Sequence, residues 1–196
     1  MSSISAEQVR QLRDRTGVAM MECKKALDEA NGDEDKAIEL LRKRGSAKAA
    51  DKATRSTCEG WIGSYVHANG KIGALVTLAC ETDFVARNEE FRALADALAM
   101  HVAASQPTYR TPQDVPPEVL EKEREIIMEQ LKNDGKPESQ WSAITDGKLG
   151  KYYQEHCLVA QLYIKDDKKT IEQLLTEAIQ KLGENIEIKD FSLLVL

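Results

Sequence analysis

Nowhere in these 196 residues is there a run of about 20 apolar side chains, the length a bilayer-spanning helix needs, so a membrane is not an expected partner. The opening residues, Met1-Ser2-Ser3-Ile4-Ser5-Ala6-Glu7, hold no basic segment followed by an apolar one. A secretory signal is therefore not expected, and the chain reads as cytoplasmic. Cationic surplus is missing too: 27 Lys and Arg stand against 33 Asp and Glu, a net charge of −6. A protein that neutralises phosphates needs an excess of cations on some face, so nucleic acid is not an expected partner either. The balance is uneven, with 11 basic and 10 acidic side chains in residues 1–52 and 16 and 23 in the remainder. The short basic run Arg42-Lys43-Arg44, followed by Lys48 and Lys52, reads as a solvated helix end, where cations suit the C-terminal dipole.

Paired cysteines and histidines are also absent. Cys23, Cys58, Cys80 and Cys157 occur singly, with no C-x-x-C, and read as reduced thiols. His67, His101 and His156 are too widely spaced for an H-x-x-x-H site, so no bound metal is expected. The chain has no G-x-x-x-x-G-K-[ST], no G-x-G-x-x-G after a strand and no G-x-S-x-G. Gly60-Trp61-Ile62-Gly63 falls in a strand pattern without the helix a phosphate loop requires, and Gly135-Lys136-Pro137 reads as a plain turn. Neither a cofactor nor an enzymatic activity is expected.

What is present is 42% apolar and 31% charged, enough for one ordinary domain or two small ones. Ser5-Ala6-Glu7-Gln8 has the form of a capping box, predicting a helix through Arg15 with Val9 and Leu12 inward and Thr16-Gly17 as its stop. A second helix over 19–30 offers Met20, Met21, Ala26 and Leu27 as apolar contacts. Asp33-Glu34-Asp35 start a third, with Ala37, Ile38, Leu40 and Leu41, which Gly45 is expected to close. Residues 1–45 thus form a three-helix bundle. Residues 46–57, rich in Ala and charge, read as a helical connector, and residues 58–196 as an α+β core.

At Trp61 the period changes. Ile62, Ser64 and Val66 alternate with Trp61, Gly63, Tyr65 and His67, and after Asn69-Gly70 the alternation resumes through Cys80. Asn-Gly between alternating runs predicts a hairpin with a type I′ turn. The second strand, apolar on both sides, is expected to be central and the first half-exposed. Helical spacing returns from Ala86, with Phe91, Leu94, Ala95, Leu98 and Val102 as one stripe. Four of the five prolines lie between Pro107 and Pro117, marking an irregular crossing. Helices over 117–131 and 138–157, a short strand through Leu158, Ala160, Leu162 and Ile164, a helix over 170–182 and a terminal strand over 186–195 complete the chain. That last strand changes parity at Lys189-Asp190, which suggests a bulge. The expected class is α+β: a helical bundle, then an antiparallel sheet of three or four strands packed with helices.

The segment Glu81-Thr82-Asp83-Phe84-Val85-Ala86-Arg87-Asn88 supports two readings. In one it is a helix start, with Thr82, Asp83 or Asn88 as caps and Phe84 tucked under the hairpin as core. In the other, Asp83 and Phe84 protrude from a strand-to-helix corner as an anionic and aromatic pair that anchors a partner.

At these residues the chain resembles the family of bacterial translation elongation factor Ts, in its short form. The likeness rests on Leu12-Arg13-Asp14-Arg15-Thr16-Gly17-Val18-Ala19-Met20-Met21-Glu22-Cys23-Lys24-Lys25-Ala26-Leu27, and on Ala30-Asn31-Gly32-Asp33 with Ala37-Ile38. It continues through Cys80 to Asn88, Ala99-Met100-His101-Val102-Ala103-Ala104, Gly135-Lys136-Pro137 and Lys165-Asp166-Asp167, in order along nearly the whole chain. Gln161-Leu162-Tyr163-Ile164 departs from the family's common Gln-Pro-Phe-Val, and Ser139-Gln140-Trp141-Ser142-Ala143 is unusual. The resemblance implies a ubiquitin-associated (UBA-like) fold for residues 1–45 and a dimerisation-type core for 58–196. It further implies a guanine-nucleotide exchange factor that engages elongation factor Tu in GDP-bound and nucleotide-free forms and promotes exchange of GDP for GTP. Thr82, Asp83, Phe84 and Val85 would be the element that dislodges Mg²⁺ from the partner's nucleotide site. Arg13, Met20, Met21 and His101 would be further partner contacts, with Met20 the methionine expected to be exposed; read from the sequence alone, one of the two methionines packs in the bundle, Arg13 is solvated and His101 is a surface histidine. A noncovalent homodimer would supply a second core module. The competing expectation is a UBA-like adaptor that binds ubiquitin or peptides through residues 1–45 and has no exchange activity.

Overall fold

The computed structural model describes residues 4–196, and within them the chain is α+β. Its helices are α1 (Ala6–Thr16), α2 (Met20–Glu29), α3 (Glu34–Lys52), α4 (Asp83–Ala86), α5 (Glu89–Ser105), α6 (Pro117–Asn133), α7 (Trp141–His156) and α8 (Ile171–Leu182). The strands are β1 (Glu59–Val66), β2 (Ile72–Cys80), β3 (Leu162–Tyr163), β4 (Asp166–Thr170) and β5 (Ile186–Val195). Contacts divide the chain into two compact units. One takes in the chain through Trp61 together with Leu78–Arg92 and Gln173–Glu187; the other comprises Ile62–Thr77, Ala93–Glu172 and Ile188–Leu196.

The first unit opens with the bundle. Ser5 accepts from the Gln8 N–H while Gln8 Oε1 accepts from the Ser5 N–H, closing the capping box, and Gly17 ends α1 with its N–H on the Arg13 carbonyl. Asp33 caps α3 through the Lys36 N–H. Val9, Leu12, Val18, Cys23, Ala26, Leu27, Ala30, Ala37 and Leu41 form its buried core. Gly45 does not end the third helix. α3 runs on through it to Lys52, and a Cβ there would lie 2.6 Å from Gln180 Oε1, the movable end of a side chain on α8. The run Arg42-Lys43-Arg44 is accordingly inside a helix rather than at its end. Lys43 pairs with Glu39, one turn earlier, and Arg44 with Glu29 of α2.

The main sheet has the antiparallel order β1-β2-β5, with β2 central as its double-sided apolar pattern predicts. Its burial is incomplete, since Leu75 remains 50% exposed. The hairpin turns at Asn69-Gly70, but not as type I′. Only Gly70 has positive φ (+68°), the Gly70 N–H bonds the His67 carbonyl, and Asn69 Oδ1 accepts from the Lys71 N–H. Five residues, 67–71, rather than two separate the strands, which leaves Asn69 outside the left-handed region. In β5, Ile186 and Ile188 are buried while Phe191 and Leu193 are half-buried, so the inward side changes parity across Lys189-Asp190.

In the second unit, Gly63 lets α5 approach β1. A Cβ on it would lie 2.2 Å from the Ala95 carbonyl carbon and oxygen, and the Ser64 N–H bonds Asp96 Oδ1 alongside. Ala95, Leu98, Ala99 and Val102 are buried along α5. α6 and α7 pack on a small core of their own, Ile127, Leu131 and Leu149. The expected strand from Leu158 to Ile164 is largely replaced: Leu158–Ala160 form a 3₁₀ turn, and only Leu162–Tyr163 pair, antiparallel with β4. This pair is a separate two-stranded sheet, so the main sheet keeps three strands.

Candidate functional site

The corner between β2 and α5 is a single helical turn, α4, set apart from the longer helix. Ala86 is its buried residue. Phe84 precedes it by two positions, about 200° around a helix, and therefore points away from the core. The ring is 84% exposed, which excludes the reading of Phe84 as core. Asp83, half-buried, pairs with Arg87 at 3.1 Å one turn on. Val85 is half-buried and Thr82 exposed. Asn88 caps α5 through the Glu90 N–H at 2.8 Å, whereas Thr82 gives no side-chain cap to α4.

The Thr82 hydroxyl is engaged elsewhere. It donates to Glu184 Oε1, while the Glu81 and Thr82 N–H groups both donate to Glu184 Oε2 at 3.0 Å. In the opposite direction, Glu81 Oε1 accepts from the Asn185 N–H at 2.6 Å and from Arg55 Nη1 at 3.4 Å. The buried Asn185 carboxamide donates to the Arg55 carbonyl at 3.0 Å. Past α4, Arg92 Nε donates to the Ala86 carbonyl at 3.2 Å, and its guanidinium lies 4.0 Å from the centre of the Trp61 ring. Glu184, Asn185, Arg55 and Arg92 escaped the sequence reading. Glu184 follows a helix stop, Gly183, and nothing local says which backbone its carboxylate will meet.

The remaining expected contacts fall on other elements. Arg13 is exposed on α1. Both methionines that open α2 are exposed, Met20 at 42% and Met21 at 63%, so neither packs in the bundle. Val18 and the stripe Cys23, Ala26 and Leu27 already fill that interior. His101 departs furthest from a surface role, for it is fully buried on α5 in the second unit. Its Nε2 lies 3.0 Å from Gln161 Oε1, and its Nδ1 accepts from the Ile164 N–H at 3.4 Å. That arrangement satisfies a neutral ring with the proton on Nε2. Burial lowers its pKa from the usual histidine value, opposed by the Gln161 bond.

Two of the buried thiols are shifted away from reactivity. Burial, reinforced by the Glu184 carboxylate, pushes the Cys80 thiol up to about 11, and burial does the same at Cys157. A thiol so raised is almost wholly protonated at neutral pH and is a poor nucleophile. All four cysteines are free, and among the described residues no three His, Cys, Asp or Glu side chains gather to hold a metal ion. No helix in those residues is long and apolar enough to cross a membrane. The corner is thus a short turn that carries a half-buried acid, Asp83, beside an exposed ring, Phe84.

Comparison with known proteins gives a uniform set of relatives. The family described as Elongation factor TS matches residues 22–193. A protein named elongation factor Ts from Thermosipho melanesiensis is 60% identical over 188 residues, 96% of each chain. The one from Fervidobacterium nodosum is 54% identical over 188 residues, 96% of this chain and 95% of its own. Another, from Solidesulfovibrio magneticus, is 52% identical over 196 residues, 100% of this chain and 98% of its own.

Proposed function

Because this chain belongs to the elongation factor Ts family, and is thereby a translation elongation factor, we propose that it is the nucleotide-exchange partner of elongation factor Tu. It engages the GDP-bound form, displaces the Mg²⁺ held there, and remains on the nucleotide-free form until GTP enters. The observation that carries this reading is the exposed Phe84 ring on its pinned turn, with Asp83 beside it. Burying a phenylalanine side chain is worth about 1.5–3 kcal/mol, and a backbone already fixed by the Glu184 hydrogen bonds forfeits less ordering entropy on contact. Such a ring is suited to part packed side chains in a partner.

Mg²⁺ bridges nucleotide phosphates and the switch segments of a GTPase, so loosening its coordination weakens the hold on GDP. Asp83, an acceptor at the same corner, competes for the hydrogen bonds that organise the ion's surroundings. The coupling is reciprocal: this protein lowers the partner's affinity for GDP by the factor by which GDP lowers the partner's affinity for this protein. No covalent bond is made or broken, so the reading requires no catalytic residue. Arg13, Met20 and Met21 supply docking contacts from the bundle, with methionine's flexible side chain suited to such a surface. His101, buried, acts only through the fold around it.

The test is release of a fluorescent GDP from elongation factor Tu after addition of this protein. Release accelerated by orders of magnitude and saturable in this protein is the expected result. Unchanged release overturns the reading, and binding of ubiquitin or peptide by the bundle would then favour the adaptor.

A further inference from the structure

A four-residue helix cannot hold a ring in place by itself. Forming one turn fixes several dihedrals for a single hydrogen bond, so α4 needs support from outside. Its internal bonds are few: the Ala86 N–H reaches the Thr82 carbonyl and the Arg87 N–H the Asp83 carbonyl. Directly before it, the 81–82 backbone and the 184–185 turn exchange carboxylates. Glu184 takes both N–H groups of Glu81 and Thr82 and the Thr82 hydroxyl; Glu81 takes the Asn185 N–H. These segments lie over 100 residues apart in the chain. Charge-assisted bonds of this kind are the stronger ones, and three on one carboxylate fix both its position and that of the backbone it holds.

We propose that Glu184 is a positioning residue for exchange: its carboxylate orients the turn that presents Asp83 and Phe84, and it acts through Phe84 without being itself the anchor. This rests on the exchange reading above, and it adds a residue from the far end of the chain to the element that performs it.

The experiment measures GDP release from elongation factor Tu over a range of concentrations of full-length protein, for Glu184→Ala, Glu184→Gln, Phe84→Ala and the double variant Glu184→Ala/Phe84→Ala. A ring that must be re-oriented in the complex costs rate at saturation. Glu184→Ala should therefore lower the saturating rate about tenfold while leaving the half-saturating concentration within about twofold. Glu184→Gln keeps an acceptor for the two N–H groups and should restore most of the rate. In the Phe84→Ala background the further loss from Glu184→Ala should be under about twofold, because two residues acting as one unit are not additive. Fully additive losses, or a saturating rate untouched by Glu184→Ala, overturn the proposal.

Amide hydrogen exchange in the isolated protein separates this from a failure of the function itself. Glu184→Ala, and not Glu184→Gln, should speed exchange at the Glu81 and Thr82 amides about tenfold or more, whether or not the wild-type chain releases GDP. Unchanged protection at both amides means that the carboxylate does not hold the corner. Should Glu184→Ala fail to fold, the Thr82→Val variant removes the hydroxyl arm alone. A smaller loss of saturating rate, again absent in the Phe84→Ala background, supports the proposal; no loss overturns it.

Discussion

Phe84 is the residue whose environment decides most. A side chain that is 84% exposed contributes almost nothing to the core, so removing it should leave the fold nearly as stable as before. Its value lies in what it meets. Aromatic anchors dominate interface energies, and Phe84→Ala should weaken the productive complex by about 2 kcal/mol, roughly 30-fold, with the melting temperature shifted by no more than a degree or two. Parallel thermal melts and GDP-release titrations measure both quantities. A large fall in melting temperature, with release lost only in proportion to unfolded protein, would return Phe84 to the core. The same ring shows where residue-level reading stops. Asp83-Phe84 before an apolar stripe fits a buried helix start as well as a protruding wedge. What separates the two is that α4 ends at Ala86 and α5 begins anew at Glu89, a break the sequence pattern runs straight across.

Elements were legible where their signals are local. Ser5 and Gln8 sit three residues apart and close their capping box; Asn69-Gly70 marks the hairpin; of the stripe Phe91, Leu94, Ala95, Leu98 and Val102 all are buried but Leu94, which is half-buried. Signals that depend on a distant partner were not. Gly45 reads as a helix stop until Gln180 is seen beside it, and the carboxylate exchange of Glu81 and Glu184 spans 103 residues. His101 looks like any surface histidine until Gln161 and Ile164 enclose it. Gly63 belongs to this second class and gives a prediction at the scale of two packed elements. A methyl group there meets the Ala95 backbone of α5, which no rotamer change can move aside. Gly63→Ala should cost about 1–3 kcal/mol, the range for overpacking a close contact, and a denaturant titration with an unchanged slope would measure it. An unaffected midpoint would mean that α5 shifts freely away from β1.

Over the whole molecule, pH is the variable that reaches the buried polar interior. His101 is held neutral, its ring 6.1 Å from that of Tyr163, whose own phenol is pushed up by burial, and with no charged side chain among its hydrogen-bond partners. Its folded pKa is depressed, so below about 6.5, the ordinary histidine value, the unfolded chain takes up a proton that the folded one refuses. Stability is thus fully present above that pH and declines as pH falls through the lowered folded value. The carboxylates act further down. Asp114, held below the usual carboxylate range chiefly by its hydrogen bond from Arg110, contributes stability that is lost only once pH falls through its own folded pKa, below 3.8. Two acid limbs should therefore appear in a plot of unfolding free energy against pH, one starting near neutrality and one at strongly acid pH. His101→Gln, uncharged throughout, should lower stability at pH 7 yet flatten the first limb, leaving the second in place. If the slope between pH 7 and 5 survives that substitution unchanged, some group other than His101 governs the fold's response to mild acid.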